Sequence, residues 1–277
     1  MASHSPLALI AELESAPGSV GLCWLGQAGF LIRYGGTTLL IDAFLSPRDG
    51  RLYEASMSPG EFTDVDVVLC THEHVDHLDA PALPGIATAS PDARFVVPAP
   101  IVDQVVAAGV DAERVAGAQP GDRLAFGEVL VRPVPACHGV TIEDAYGFGR
   151  ELSGGLVRFL GFVLDSGGVR VYHAGDTIRY DGMEHDLRAV GVDLALLPIN
   201  GRDAEREARG LVGNLDHREA AHLAMDVGAS AVVPMHYDMF ARNPGDPSKL
   251  VEIVEQESLP LSVVLPERDR PFVWTPA

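Results

Sequence analysis

Residues 72–77 read HEHVDH and follow the apolar run 65–70 after a single threonine, Thr71. Three imidazoles and a carboxylate within six residues are costly to justify as packing, because every polar group taken out of water must find a partner. Residues two apart share a face in a strand, and in a turn they can converge. His72 and His74 can therefore point at one ion, while Asp76 and His77 point at a neighbouring one. Zn²⁺ and similar cations take imidazole nitrogen and carboxylate oxygen at about 2.0–2.2 Å. One such segment cannot close two coordination shells. The chain must fold so that further His and Asp arrive at the same place.

Suitable residues are present. His138 follows the apolar run 129–135 in PACHG, Asp176 follows 169–173 in HAGDT, and His236 follows 231–234 in PMHYD. Each lies just past a predicted strand, where active-site loops gather on an open α/β scaffold. Further β-branched, apolar runs predict strands at 20–25, 30–34, 37–42, 65–70, 95–97, 161–165, 194–198 and 261–265. Gly35-Gly36 and Gly167-Gly168 read as two-residue hairpin turns. Helices are expected over 100–108, 217–227 and 248–257. Asp216 and Glu219 form a capping-box signature at the start of the second of these. His217 and His222 sit in that helix's first turn and on its surface, and neither is expected to bind metal. Hairpins followed by mixed strand–helix units favour sheets covered by helices.

At 277 residues and 47% hydrophobic content the chain is long and apolar enough for a substantial packed core. It is read as one domain over residues 1–277. The N-terminal stretch has no basic region ahead of an apolar core, so a secretory signal is not expected and a cytoplasmic location is. No apolar run approaches the length of a membrane helix, and no membrane partner is expected. Cys23, Cys70 and Cys137 are odd in number and form no CxxC pair, which fits a reducing compartment. They are read as small buried residues at strand ends, with metal ligation the less favoured reading. The net charge of −19, with Lys249 the sole lysine, argues against a nucleic-acid partner, which would require a basic footprint. A small anionic substrate stays compatible, because a local site can oppose the global field.

The ordered set HxHxDH, lone His, GD loop and final His resembles the metallo-β-lactamase superfamily. Trp24-Leu25-Gly26-Gln27-Ala28-Gly29-Phe30, Leu39-Leu40-Ile41-Asp42, Leu197-Pro198-Ile199-Asn200-Gly201-Arg202, Gly213-Asn214 and Pro234-Met235-His236-Tyr237 are similar to the branch containing L-ascorbate 6-phosphate lactonase. The resemblance implies a four-layer αββα sandwich, an α/β (α+β) fold with a dinuclear metal site between the sheets. Carried over residue by residue, His72, His74 and His138 would hold the first metal. Asp76, His77 and His236 would hold the second, and Asp176 would bridge both. Two divalent ions are implied, zinc from the mixed nitrogen and oxygen donors or manganese from the lactonase branch.

Paired cations lower the pKa of water toward neutrality and polarise a substrate oxygen. The expected activity is therefore metal-dependent hydrolysis of a small anionic ester or lactone, a phosphorylated sugar lactone among them. Asp76 would orient the attacking water and Asp176 would hold the pair of ions, which makes these two the candidate catalytic residues. The alternatives are a phosphodiesterase or nuclease of the same superfamily, and a metal-binding protein without catalysis. Arg202 is either a clamp for a phosphate or carboxylate or a surface arginine. Asn200 precedes it at the same rim. Asn214 either bonds the substrate or caps the following helix, and Tyr237 either donates to an oxyanion or packs. His173 either supports a ligand or ends its strand. Residues 139–160 contain YGFGRELSGG, read as a flap over the site or as an ordinary hairpin loop. Homo-oligomerisation is left open.

Overall fold

The computed structural model describes residues 5–13, 17–141, 156–241 and 245–276. Two seven-stranded sheets carry the fold. The first runs β14–β1–β2–β3–β4–β5–β6, built from Val20–Gly26 (β1), Gly29–Tyr34 (β2), Thr37–Ile41 (β3), Val67–Leu69 (β4), Arg94–Pro98 (β5), Val115–Ala118 (β6) and Phe272–Trp274 (β14). The second runs β13–β12–β11–β10–β9–β8–β7, from Leu124–Phe126 (β7), Val129–Pro135 (β8), Leu160–Ser166 (β9), Val169–His173 (β10), Leu194–Pro198 (β11), Ala231–Met235 (β12) and Ser262–Val263 (β13). Each sheet is half antiparallel meander and half parallel. β3 to β6 are parallel in the first, and β10 to β13 in the second. The glycine pairs 35–36 and 167–168 make the two-residue hairpins of β2–β3 and β9–β10.

Period-2 alternation decides which side chains meet. Leu22, Trp24, Phe30, Ile32, Leu39 and Ile41 pack inward with Phe162, Leu164, Val171 and Leu196 of the second sheet. Their neighbours Cys23, Leu31 and Leu40 pack outward under the helices Pro6–Glu12, Leu83–Ala89 and Val102–Ala107. The second sheet is covered on its outer side by Met183–Val190 and His217–Asp226, through Met183, Leu187, Ala220 and Leu223. The αββα sandwich follows, with strands buried on both faces and hence continuously apolar. Polar bonds from buried side chains tie the two sheets together. The Tyr34 hydroxyl donates to the Leu164 carbonyl at 3.1 Å, and His173 Nε2 donates to the Ala28 carbonyl at 2.8 Å.

The capping box forms as expected. The Asp216 carboxylate accepts from the Glu219 amide, and the Glu219 carboxylate accepts from the Asp216 amide. Such a cap contributes about 1 kcal/mol to its helix. Helix 100–108 divides into a 3₁₀ turn, Ala99–Ile101, and the α-helix Val102–Ala107. Strands 65–70 and 261–265 shorten to Val67–Leu69 and Ser262–Val263, because their outer residues leave the ladder. Three strands and several short helices were not anticipated by periodicity. All three cysteines are buried, and none is in a disulfide among the described residues. Among the described residues no helix is long and apolar enough to cross a membrane. The flap expected over 139–160 lies, for residues 142–155, outside the described residues.

Candidate metal centre

β4, β8, β10 and β12 all end at one edge of the sandwich, and the loops that follow them carry the seven residues singled out above. The turn after β4 is closed by the His77 and Leu78 amides, which both donate to the His74 carbonyl. It presents His72 Nε2 2.8 Å from His74 Nδ1, and His138 Nε2 lies 3.3 Å from the same Nδ1. These three atoms form one group. Asp76, His77 and His236 form another, with His236 Nε2 3.3 Å from Asp76 Oδ2 and His77 Nε2 3.9 Å from it. Asp176 stands between the groups. Its carboxylate lies 3.5 Å from His138 Nε2, 3.3 Å from His236 Nε2 and 3.4 Å from His77 Nε2.

The surroundings fix which ring atoms face inward. Asp42 ends β3 with a positive φ of 47°, and its Oδ2 accepts from His77 Nδ1 and from the Thr71 hydroxyl, both at 2.7 Å. The Thr71 hydroxyl hydrogen is thereby committed, so its oxygen accepts from His72 Nδ1 at 3.1 Å. His138 Nδ1 donates to the Gly213 carbonyl at 3.2 Å. In each case the outer nitrogen carries a proton and the inner nitrogen is turned into the site, the usual way a protein orients a metal-binding imidazole. Gly213 is required there: a Cβ would stand 2.4 Å from Arg202 Cβ and 2.6 Å from the Gly201 carbonyl. His173 accepts from the Gly175 amide at 3.2 Å and so ties the Asp176 loop to the end of β10. It supports the loop without touching Asp176 itself.

Electrostatics divide the seven residues in two. Burial, with the like charges of His77 and His74, holds His72 well below the ordinary imidazole pKa. Burial likewise lowers His74, and it takes His138 down to about 4. Burial also opposes charge on His77 and His236, yet the carboxylates win. Asp176, Asp42 and Asp76 raise His77 well above its usual value, and Asp176 and Asp76 lift His236 to about 9. Asp176 is buried and Asp76 partly so, which opposes their charge, but the facing imidazoles hold both below the usual carboxylate range.

The donor set fits divalent cations. His77 Nε2 and Asp176 Oδ1 are buried with no hydrogen-bond partner, a costly arrangement unless something positive sits between them. Imidazole nitrogen and carboxylate oxygen suit zinc and manganese. No thiol joins them, since Cys137 packs against Ile178 and Cys70 against the outer helices. His217 accepts from the Asp246 amide, and His222 pairs with Glu257 at 2.7 Å, both away from the centre.

A pocket of about 180 Å³ opens over His74, Asp76, His138, Asp176 and His236, and is rimmed by Arg48, Arg206, Asn200, Asn214, Val75 and Phe240. Asn200 and Asn214 are thus at the rim, joined by Asn214 Nδ2 donating to Asn200 Oδ1 at 3.0 Å. Asn214 does not cap the next helix; Asp216 does. Arg202 does not line the pocket. Its guanidinium is engaged by Glu219 and Glu207, and Arg206, one helical turn on, reaches the rim instead. Tyr237 also lies off the pocket, its ring stacked on Trp24 with centroids 5.2 Å apart. Sequence reasoning missed Arg48, whose loop is anchored by Asp79 accepting from the Leu45 and Ser46 amides at 2.8 and 2.7 Å. It also missed Asp42, for which an acid directly after the apolar run Leu39-Leu40-Ile41 was the available signal, and Gln27, which touches Asp76.

A model of the β-lactamase superfamily domain matches residues 37–237. The chain is similar to a UPF0173 metal-dependent hydrolase of Rubrobacter xylanophilus, 31% identical over 253 residues that span 89% of this chain and 93% of the relative. Igni18, a metallo hydrolase from Ignicoccus hospitalis, shares the fold with a TM-score of 0.70 at 22% identity, over 92% of this chain and 98% of its own. So does the isothiocyanate hydrolase from Delia radicum gut bacteria, with a TM-score of 0.73 at 16% identity, over 93% and 100%. These matches reach the level of a metal-dependent hydrolase. The chain belongs to the metallo-β-lactamase superfamily, within the UPF0173 family of metal-dependent hydrolases.

Proposed function

We propose that this chain hydrolyses an ester or lactone bond in a small anionic substrate, using two divalent cations, zinc or manganese. The observation that carries the reading is the pair of donor groups on either side of the Asp176 carboxylate, with orphaned donor atoms at His77 and Asp176. His72, His74 and His138 would hold one ion. Asp76, His77 and His236 would hold the other, and Asp176 would contact both. Bound there, the cations supply acidified water and a polarised substrate oxygen.

The protein's own groups do the rest. Asp76, partly open to the pocket, orients the attacking water through its carboxylate and can carry its proton to the leaving group. Phe159 stands against His72, His74 and His138 at ring separations of 5.7, 6.5 and 5.8 Å and keeps bulk water off that side. Arg48 and Arg206 place positive charge at the rim of an otherwise acidic molecule, which suits a phosphate or carboxylate on the substrate. A pocket this small suits a sugar-sized molecule, and a phosphorylated sugar lactone meets both requirements. The net charge of −19 speaks against a nucleic-acid substrate.

The test is a screen of metal-loaded protein against phosphorylated and neutral lactones, carboxylic esters and phosphodiesters. Turnover of anionic lactones or esters that stops on chelation and returns with added metal supports the proposal. Turnover confined to phosphodiesters, or turnover indifferent to chelation, rejects it.

A further inference from the structure

Gln27 stands in the turn between β1 and β2 and is 1% exposed. Its backbone is in the left-handed region, at φ 53°, a conformation that costs a non-glycine residue energy and is kept where the surroundings enforce it. Here they do. Its carbonyl accepts from the Trp24 indole at 3.0 Å and from the His236 amide at 2.8 Å. The same chain segment thus positions Gln27 and His236 together.

The side chain ends among the metal-binding atoms. One terminal atom of the carboxamide lies 2.8 Å from Asp76 Oδ2 and 3.0 Å from His236 Nε2. Donors that share one cation at about 2.1 Å stand roughly 3.0–3.4 Å apart; the separation from His236 falls in that range, and the one from Asp76 is a hydrogen-bond distance slightly inside it. The other terminal atom, Oε1, is buried with no hydrogen-bond partner. A half-turn of the amide exchanges the two atoms. It would bring the oxygen, a hard donor suited to zinc or manganese, to the place now held by the nitrogen. Without a cation that oxygen would face the Asp76 carboxylate as a repelling pair. With a cation between them the repulsion becomes shared coordination.

We propose that Gln27 is a ligand of the second metal ion, its amide turning over to present Oε1 when the ion binds. The proposal rests on the two-cation reading above and adds a donor to one ion only. The first ion would then have three imidazoles and Asp176. The second would have Asp76, His77, His236, Asp176 and Gln27, and so a higher coordination number. An amide whose sole role was to donate a hydrogen bond to Asp76 would also fit the present contact, and a charge substitution separates the two roles. Gln27→Glu keeps an oxygen ligand but loses the donor. Gln27→Met keeps the volume and loses both.

The experiment is calorimetric titration of chelator-stripped protein with Zn²⁺ and with Mn²⁺, for the parent chain and both variants, with the visible spectrum of the Co²⁺ forms as a second readout. The parent is expected to take up two ions in resolved steps. Gln27→Met is expected to weaken the second step about tenfold or more, to leave the first within twofold, and to intensify the Co²⁺ bands as the second ion loses a ligand. Gln27→Glu is expected to bind the second ion at least as tightly as the parent. A Gln27→Met protein with an unchanged second step overturns the proposal while leaving the two-cation reading intact. So does a Gln27→Glu protein as weak as Gln27→Met, which would make Gln27 a donor to Asp76. A parent chain that takes up one ion or none rejects the two-cation reading and this proposal with it.

Discussion

The two halves of the candidate centre are built from the same residue types and differ in charge. His72, His74 and His138 are neutral rings, pressed by burial and by Phe159 into presenting bare lone pairs. His77 and His236 face Asp42, Asp76 and Asp176, and in the metal-free chain they hold protons. The first half is a nitrogen trap that costs little to desolvate. The second is an anionic cup in which protons occupy the place of the cation. A shared imidazole count therefore hides two different binding problems. One half gains its ion by filling empty lone pairs, and the other by exchanging charge for charge.

The largest effect should come from the residue the halves share. Asp176→Ala removes, among the described residues, the one carboxylate within reach of both groups. Turnover should fall by at least roughly 10²–10³-fold, the scale of losing one charge-stabilising group, and uptake of both ions should weaken. Metal titration together with initial rates checks this; a variant that still binds two ions at parental affinity would break the picture of a common bridge. His74→Ala should cost turnover on a similar scale while weakening only the first ion.

Asp42→Ala sharpens the comparison from outside the ligand set. Asp42 touches no substrate; it fixes His77 by accepting from Nδ1 at 2.7 Å, with both side chains fully buried. Losing such a partner typically costs 10–100-fold in metal affinity. The loss should fall on the second ion, and the first should move much less, through Thr71. Equal weakening of both steps would mean that Asp42 holds the whole edge together and not one half of the centre.

A pH series separates the halves without mutation. The sign follows from the directions of the shifts. His138, near 4, and His72 and His74, also lowered, are already deprotonated at neutral pH, so first-ion affinity should be flat from about pH 6 to 9. His236, near 9, and His77, raised well above its usual value by Asp176, Asp42 and Asp76, hold protons at neutral pH and must release them when the second ion enters. Second-ion affinity should rise with pH by up to about tenfold per unit for each proton displaced. Titrations in buffers of differing ionisation enthalpy count those protons. A second step without proton release would contradict the charge division.

How much of this was legible in the sequence depended on burial. β10 and β11 match their apolar runs at both ends, because nearly every position in them is buried and under the same constraint. The three strands that periodicity missed, β6, β7 and β14, are all at sheet edges, half-solvated and three or four residues long. The helices it missed, Leu83–Ala89 among them, are short, and that one carries Pro84 and Gly85 in its first turn. In the site, His72 to His77 were readable because local spacing alone brings them together. Gln27 and Asp42 were not read as site residues. An amide and an acid at strand ends look like ordinary turn residues until the tertiary fold sets them beside Asp76 and His77. Arg202 illustrates the converse. It directly follows β11 at the rim, but Glu219 and Glu207 draw its side chain away, a choice fixed by partners remote in sequence.

The smallest effects should lie at the rim. Arg48 is exposed, and Arg206 is half-buried and paired with Asp203, so solvent screens both. Exposed ion pairs contribute about 0.2–1 kcal/mol, which sets roughly a two- to fivefold rise in KM for Arg48→Ala or Arg206→Ala with kcat unchanged. The rise should appear for a substrate bearing phosphate or carboxylate and vanish for a neutral analogue with the same scissile bond. It should also shrink with added salt, because the interaction is screened. Arg202→Ala, whose side chain is tied to Glu219 away from the pocket, should leave KM for both substrates where it was. If Arg202→Ala raised KM and Arg206→Ala did not, the anion would bind on the other side of this loop. The rim, unlike the metal centre, would then rearrange when substrate arrives.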